Sequence, residues 1–222
     1  MKKGSKIGIV GGVVLLLAVL LYFLAFGGGK SGYVTDDWDS TYDPEKRDPY
    51  GTFMLKELLD TTGMFGNFLQ IDEKLQETLK DHPDVNDIYF FVGKKNYLND
   101  SSAQFLLDFV ANGNSAFMAA EEFPYDFMAE LCFDPDFVIG DRTIDSTLYL
   151  KFNHPDLKGK RYEYKYVYNN KVEPHAWHFI HDSIQTELYY PTTLLGANTK
   201  NQTNFIKISY GEGFIYLIST PY

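Results

Sequence analysis

The chain has 222 residues, 45% of them hydrophobic and 17% aromatic, so a sizeable core is easily supplied. Beyond residue 30 lie all 30 acidic residues and 16 of the 20 basic ones, a formal charge of −14 that argues against nucleic acid or an anionic lipid surface as a partner of that portion. The single cysteine, Cys132, excludes an internal disulfide and reads as a small buried hydrophobe.

Taken in order, the first element is Ile7 to Phe26, twenty residues without a charged side chain. As a helix it spans about 30 Å, the thickness of a bilayer's hydrocarbon core. Lys2, Lys3 and Lys6 precede it, and Lys30 followed by Asp36, Asp37 and Asp39 comes after. The side richer in lysine stays cytoplasmic, which places the bulk of the chain outside: an inner-membrane, single-pass protein with a periplasmic or extracytoplasmic main domain. A cleavable signal peptide is the competing reading, with Ala25 and Gly27 as the small-residue pair. Gly27 to Gly32 makes a flexible joint, so residues 1–32 form a cytoplasmic stub, helix and joint.

Residues 33–135 read as an α/β domain. Asp48 caps a helix with Pro49 at its first position, and Phe53, Met54, Leu55, Leu58 and Leu59 give it an apolar face until Gly63. Phe65 to Ile71 reads as a strand and Asp72 to Lys80 as a polar helix. Asp87 to Val92 has the continuous apolar run of a strand buried on both faces, the expected centre of the fold. Gly93 to Leu98 follows as a loop, Asp100 or Ser101 opens a helix that ends at Gly113, Ser115 to Ala120 is the next buried strand, and Pro124 to Leu131 another helix. Strand, helix and strand in this order imply right-handed crossovers and a parallel sheet. From residue 136 to 222 the pattern alternates, giving antiparallel strands at Thr143 to Phe152, Arg161 to Tyr168, Asp182 to Tyr190, Phe205 to Ser209 and Phe214 to Ser219. This β-rich half either extends the first sheet or forms a small subdomain.

The N-terminal anchor, Asp48-Pro49-Tyr50-Gly51-Thr52 opening a helix, the strand Asp87 to Val92, Leu107 to Gly113, and Tyr210-Gly211-Glu212-Gly213-Phe214-Ile215-Tyr216-Leu217 together resemble a bacterial family, the domain of unknown function numbered 4350. The resemblance implies a class I glutamine amidotransferase-like, flavodoxin-like parallel sheet for residues 48–135. It also implies a role in a membrane assembly beside MoxR-type ATPases and von Willebrand-type membrane proteins. Two departures stand out: Asn114 occupies a position where a second glycine is usual, a change expected to be harmless, and no second membrane segment follows the domain, as in a fragment or a shortened member.

An amidotransferase needs a cysteine in a sharp strand-to-helix elbow with a histidine and a carboxylate. Here Glu121-Glu122-Phe123-Pro124 follows the strand, so the triad is absent and that activity is not expected. Helix starts lie at the carboxyl edge of the strands, where open α/β sheets bind ligands. Asp48, Tyr50, Gly51, Thr52, Asn96, Glu121 and Glu122 are therefore the candidate ligand-binding residues, with free N–H groups at Tyr50 to Thr52 and the Tyr50 hydroxyl as donors.

His175, His178 and His181 form H-x-x-H-x-x-H, but neither a helix nor a strand brings all three to one face, so no metal and no cofactor is expected. Tyr162, Tyr164, Tyr166 and Tyr168 recur at period two, as a sugar-stacking surface or as cross-strand packing. The leading functional expectation is a non-catalytic binding or assembly module tethered by Ile7 to Phe26, with membrane or envelope proteins as partners. The alternatives are an envelope hydrolase using Glu121 or Glu122 as a base, and a carbohydrate-binding surface on the tyrosine-rich strands.

Overall fold

The structure is a computed structural model that describes residues 39–62, 69–71, 74–80, 86–131, 141–180 and 189–221. The run Ile7 to Phe26 and its joint, Cys132, His181, and most of the strands expected at Phe65 to Ile71 and Asp182 to Tyr190 lie outside these residues. Among the described residues no helix is long and apolar enough to cross a membrane. The described residues all belong to one compact unit.

The elements are α1 (Phe53–Thr62), α2 (Leu75–Lys80), β1 (Ile88–Lys95), α3 (Asp100–Ala111), β2 (Ser115–Glu122), α4 (Tyr125–Glu130), β3 (Asp141–Asp145), β4 (Thr147–Phe152), β5 (Tyr162–Lys165), β6 (Val167–Tyr168), β7 (Lys171–Val172), β8 (His175–Phe179), β9 (Thr192–Asn198), β10 (Thr203–Tyr210) and β11 (Gly213–Ile218). Seven strands make one sheet in the order β1-β2-β11-β10-β9-β4-β5. The first three are parallel and every later neighbour is antiparallel.

That order corrects the flavodoxin-like expectation. The strands on both sides of residue 135 share one mixed sheet instead of dividing into a parallel sheet and an antiparallel half. The cause is β11: it returns from β10 by a hairpin at Gly211-Glu212 and enters beside β2, in parallel with it. β2 thereby becomes interior, while β1, the expected centre, lies at the end of the sheet. Its burial agrees, since Ile88 is 48% exposed and Tyr89 to Val92 are only half-buried.

The core lies on one face of this sheet, under α3. Asn99 caps α3 by accepting the Ser102 N–H at 2.9 Å, and the 3.6-residue period then buries Ala103, Leu106, Leu107, Phe109 and Val110. These pack against Ala116, Met118 and Ala120 of β2, Ile215 and Leu217 of β11, and Phe127 and Met128 of α4. Each large side chain withdrawn from water contributes about 1.5–3 kcal/mol. Alanines at two of these three inward positions of β2 let the helix lie close. Gly213 has the same logic, because a Cβ there would collide with the carbonyl oxygens of Asn114 and Val110.

A second cluster, Leu148, Leu150, Trp177 and Phe179, sits where β4 meets the small β3–β8 sheet. Trp177 Nε1–H donates to the Asp145 carbonyl at 2.8 Å. β8 is tied to the main sheet by the Ile180 N–H on the Thr203 carbonyl at 2.8 Å and by Ser219 Oγ donating to the His178 carbonyl at 2.8 Å. Since Ser219 directly follows β11, these bonds bring the histidine strand to the carboxyl ends of the parallel strands.

Candidate functional site

β1 ends in Gly93-Lys94-Lys95 and β2 in Ala120-Glu121-Glu122, in a register that pairs Gly93 with Ala120 and Lys95 with Glu122. Successive side chains of a strand point to opposite faces, so this register sends the two glutamates to opposite sides of the sheet. Glu122 shares a face with Lys95 and pairs with its Nζ at 2.9 Å. Lys95 consequently holds its proton more firmly than an ordinary lysine, first through the hydrogen bond to Glu122 and then through its charge. Glu121 turns to the other face and is only 8% exposed.

A cleft of about 610 Å³ lies at this edge. One wall is Ser40, Thr41 and Tyr42; the other is five consecutive residues of β1, Phe91 to Lys95, with Tyr97 and Glu122 completing the lining. The Tyr97 ring is 84% exposed, with Lys95 Nζ 5.5 Å from its centroid. Two lysines against one paired carboxylate make this a locally basic cleft in a domain of strongly acidic composition.

The expected residues are distributed around it in layers. The Asp48 to Thr52 stretch is a turn, not the first turn of a helix; α1 starts at Phe53. Tyr50 has φ of 64°, outside the helical region, so the helix cannot run back to Asp48. The amides expected to be free are occupied: Gly51 N–H donates to the Asp48 carbonyl at 2.9 Å and Thr52 N–H to the Asp43 carbonyl at 3.0 Å. The Tyr50 hydroxyl donates to the Val167 carbonyl at 2.6 Å and accepts the Val167 N–H at 3.2 Å. A Cβ at Gly51 would collide with the Lys46 carbonyl oxygen, so glycine here serves a close chain crossing. The turn acts from behind the wall, because the Tyr50 carbonyl accepts the Tyr42 N–H at 2.9 Å and Thr52 Oγ1–H donates to the Tyr42 carbonyl at 2.8 Å. Together these two bonds fix Tyr42 as a cleft wall.

Asn96 is buried under the cleft. Its N–H donates to the Glu122 carbonyl at 3.2 Å, its Nδ2 to Met118 Sδ at 3.4 Å, and its side chain also bonds the Tyr89 hydroxyl. It therefore braces the β1–β2 ends and does not enter the lining. Of the seven candidates only Glu122 faces the cleft.

Glu121 belongs to a second, buried cluster. His178 Nε2 lies 4.0 Å from its Oε2, while Glu121 Oε1 and His178 Nδ1 have no hydrogen-bond partner among the described residues. Burial raises the Glu121 pKa, opposed by the positive charge of Lys94 and reinforced by Glu122. Burial lowers His178, with Glu122 opposing the shift. His175 is pushed down to about 4 by burial and by the neighbouring His178. Its ring stacks on Tyr166 at 4.3 Å, and Tyr166 stacks in turn on Tyr50 at 5.6 Å. Tyr164 and Tyr166 pack on the Trp177 cluster, and Tyr162 meets Phe152 edge-on at 5.3 Å. These rings are committed to packing and do not present a row of open faces; Tyr168 stands apart, exposed, in β6.

Among the described residues no group of three or more His, Cys, Asp and Glu side chains is placed to hold a metal ion. Of the lining residues, sequence reasoning passed over Ser40, Thr41 and Tyr42; Lys94, Lys95 and Tyr97 were read as part of the loop Gly93 to Leu98, whose first four residues were expected at this edge. The available signal was Lys94-Lys95 directly after an apolar strand, which was absorbed into a loop when the strand in fact runs to Lys95.

No family model and no curated protein matches the sequence. Among solved structures the chain is similar to an exo-β-1,4-mannosidase from Opitutaceae bacterium strain TAV5, with 13% identity and a TM-score of 0.47 over 80% of this chain. The chain spans 28% of that protein's length.

Proposed function

We propose that the protein is a binding module, tethered to the membrane by Ile7 to Phe26, that holds a membrane or envelope partner through the carboxyl-edge cleft. The observation that carries this reading is the state of the two glutamates. The one lining the cleft, Glu122, is already paired with Lys95, and the one with raised proton affinity, Glu121, lies outside the lining. A general base must come within hydrogen-bond reach of its substrate's proton, which neither carboxylate offers in the cleft. A lined, locally basic cleft on a tether suits capture better than turnover. The resemblance to the 4350 family suggests MoxR-associated and von Willebrand-type proteins as the first partners to try.

Co-purification of the full-length chain from its own membranes under mild detergent tests this. The wild type is expected to carry a stoichiometric partner that Lys94→Glu with Lys95→Glu releases. Recovery of wild type as a solitary monomer contradicts the reading. A second reading, an envelope hydrolase with Glu121 as base, is favoured by the raised proton affinity of Glu121 and by His178 at 4.0 Å. It predicts turnover of nitrophenyl esters or glycosides that Glu121→Gln abolishes. The binding reading predicts no turnover and an unchanged partner yield in that variant.

A further inference from the structure

We infer that the partner docks as an extended, acidic peptide segment added to the edge of β1 that is unpaired among the described residues. The inference rests on the cleft being a partner site and specifies how that site is used.

β1 is the terminal strand of the sheet, and among the described residues it pairs with β2 alone. Natural sheets protect an edge by making it short, bulged, charged, interrupted by proline or covered by another element, and of these devices β1 carries only the two lysines at its end. β1 has eight residues, no proline, and a register with β2 that runs from Ile88 to Lys95 without a bulge. Its sequence Ile-Tyr-Phe-Phe-Val is among the strongest strand-forming compositions. The Asp87 carbonyl accepts the Ser115 N–H at 2.9 Å, which sets the parity of the ladder. In a parallel pair alternate residues direct both backbone groups to the same side, so Tyr89, Phe91 and Gly93 serve β2 while Phe90, Val92 and Lys94 direct theirs away from it.

The cleft follows this edge. Five consecutive β1 residues line it, and the opposite wall, Ser40 to Tyr42, is not a strand. A ligand lying there meets a strand's backbone lengthwise, the geometry in which added strands gain affinity from main-chain hydrogen bonds. Its volume of about 610 Å³ suits a short segment of chain. The charge selects the occupant: Lys94 and Lys95 are exposed at the end of β1, on a domain whose composition is otherwise strongly negative. An acidic segment is attracted to these lysines, whereas a second copy of the chain brings its own net negative charge and is repelled at long range.

The test uses the full-length protein in mild-detergent micelles with three blocked decapeptides: alternating valine and glutamate, alternating valine and lysine, and the first with every second valine replaced by proline. Binding is followed by fluorescence anisotropy and by amide hydrogen exchange. The valine-glutamate peptide is expected to bind below about 1 mM and to slow exchange at Phe90, Val92 and Lys94 by about tenfold or more. The lysine peptide is expected to bind about tenfold more weakly and the proline peptide not at all. Val92→Pro removes one outward N–H and abolishes binding. If that variant misfolds, Lys94→Glu with Lys95→Glu supplies the same test, with an unchanged melting temperature and affinity for the acidic peptide down by about tenfold. No binding of the acidic peptide at about 1 mM overturns the inference, as does binding without protection of β1 amides. Displacement of the peptide by neutral oligosaccharides, or protection of β1 by self-association alone, assigns the edge to a different occupant and equally overturns it. If a partner still co-purifies while β1 amides stay unprotected, the docking strand fails and the binding-module reading survives.

Discussion

Asn114 is the residue whose removal should hurt most for its size. It is 4% exposed and sits between the end of α3 and the start of β2. Its Oδ1 accepts the Asp87 N–H at 2.9 Å, its Nδ2 donates to the Phe109 carbonyl at 3.0 Å, and its own carbonyl accepts the Phe214 N–H at 3.2 Å. One side chain thus joins the entry of β1 to the last turn of the core helix, while its backbone holds β11. In Asn114→Ala the Phe109 carbonyl, buried in the core, loses its side-chain donor, at about 1–3 kcal/mol. The partly exposed Asp87 N–H turns to water, at about 0.5–1.5 kcal/mol. The sum, about 1.5–4.5 kcal/mol, lowers the melting temperature of a domain this size by roughly 3–18 °C. Asn114→Gly should cost at least as much, because it removes the same bonds and adds backbone entropy to the unfolded chain. Circular dichroism melts of the full-length protein in detergent measure both. A loss under about 0.5 kcal/mol in either variant would show that the bridging bonds contribute little net stability.

Further outcomes follow from the buried cluster and the tight crossings. Glu121, with its raised pKa, binds a proton more tightly folded than unfolded, so its contribution to stability is present at low pH and lost as pH rises through the folded value. Glu121→Gln should remove that loss and raise the melting temperature at neutral pH; a lower melting temperature would contradict it. His175 shifts the profile the other way. Its pKa falls from 6.5 unfolded to about 4 folded, so protonation favours the unfolded chain as pH drops between those values. His175→Phe, which keeps a ring against Tyr166, should flatten the acid limb of the stability profile, and an unchanged limb would refute the assignment. Gly213→Ala places a Cβ against two carbonyl oxygens and should cost about 3 kcal/mol or more, read as a lower urea midpoint at constant m-value. Truncating the exposed Lys95–Glu122 pair should leave the melting temperature nearly unchanged, so that a loss of partner in Lys95→Ala is an effect on binding.

Local features of the fold were legible wherever one periodicity dominated. The α3 sequence, with its cap and its buried stripe, and the apolar runs of β1 and β2 could be read directly. Strand order could not, because the placement of β11 beside β2 is a contact of high sequence separation that leaves no local pattern. β9 was missed because Gly196 and Asn198 resemble loop residues. In the sheet, Gly196 is required where Phe152 and Asn204 crowd it, and Asn198 ties the following turn through Lys200 and Gln202. Thr143 to Phe152 reads as one strand yet divides at Ser146, because β3 pairs with β8 and β4 with β5 and β9. For the site, the sequence directed attention to the carboxyl edge and to Glu121 and Glu122, of which Glu122 lines the cleft found there. It did not separate their roles, since the opposite facing of Glu121 and Glu122 depends on the strand continuing past Ala120. The Asp48 to Thr52 stretch misled because Asp-Pro is a strong helix opener; the helix is broken at Tyr50, which has a positive φ and whose hydroxyl is held by Val167, 117 residues away.

The most direct test of the account is site-specific photocrosslinking in the protein's own membrane. A photoreactive residue replaces Tyr97 at the mouth of the cleft, and another replaces Tyr149, an exposed ring on β4 at the far end of the sheet. The account predicts a protein adduct from position 97 that maps to an extended acidic segment, disappears in Lys94→Glu with Lys95→Glu, and is absent from position 149. Adducts to lipid only, or the same protein adduct from both positions regardless of the lysines, would contradict it.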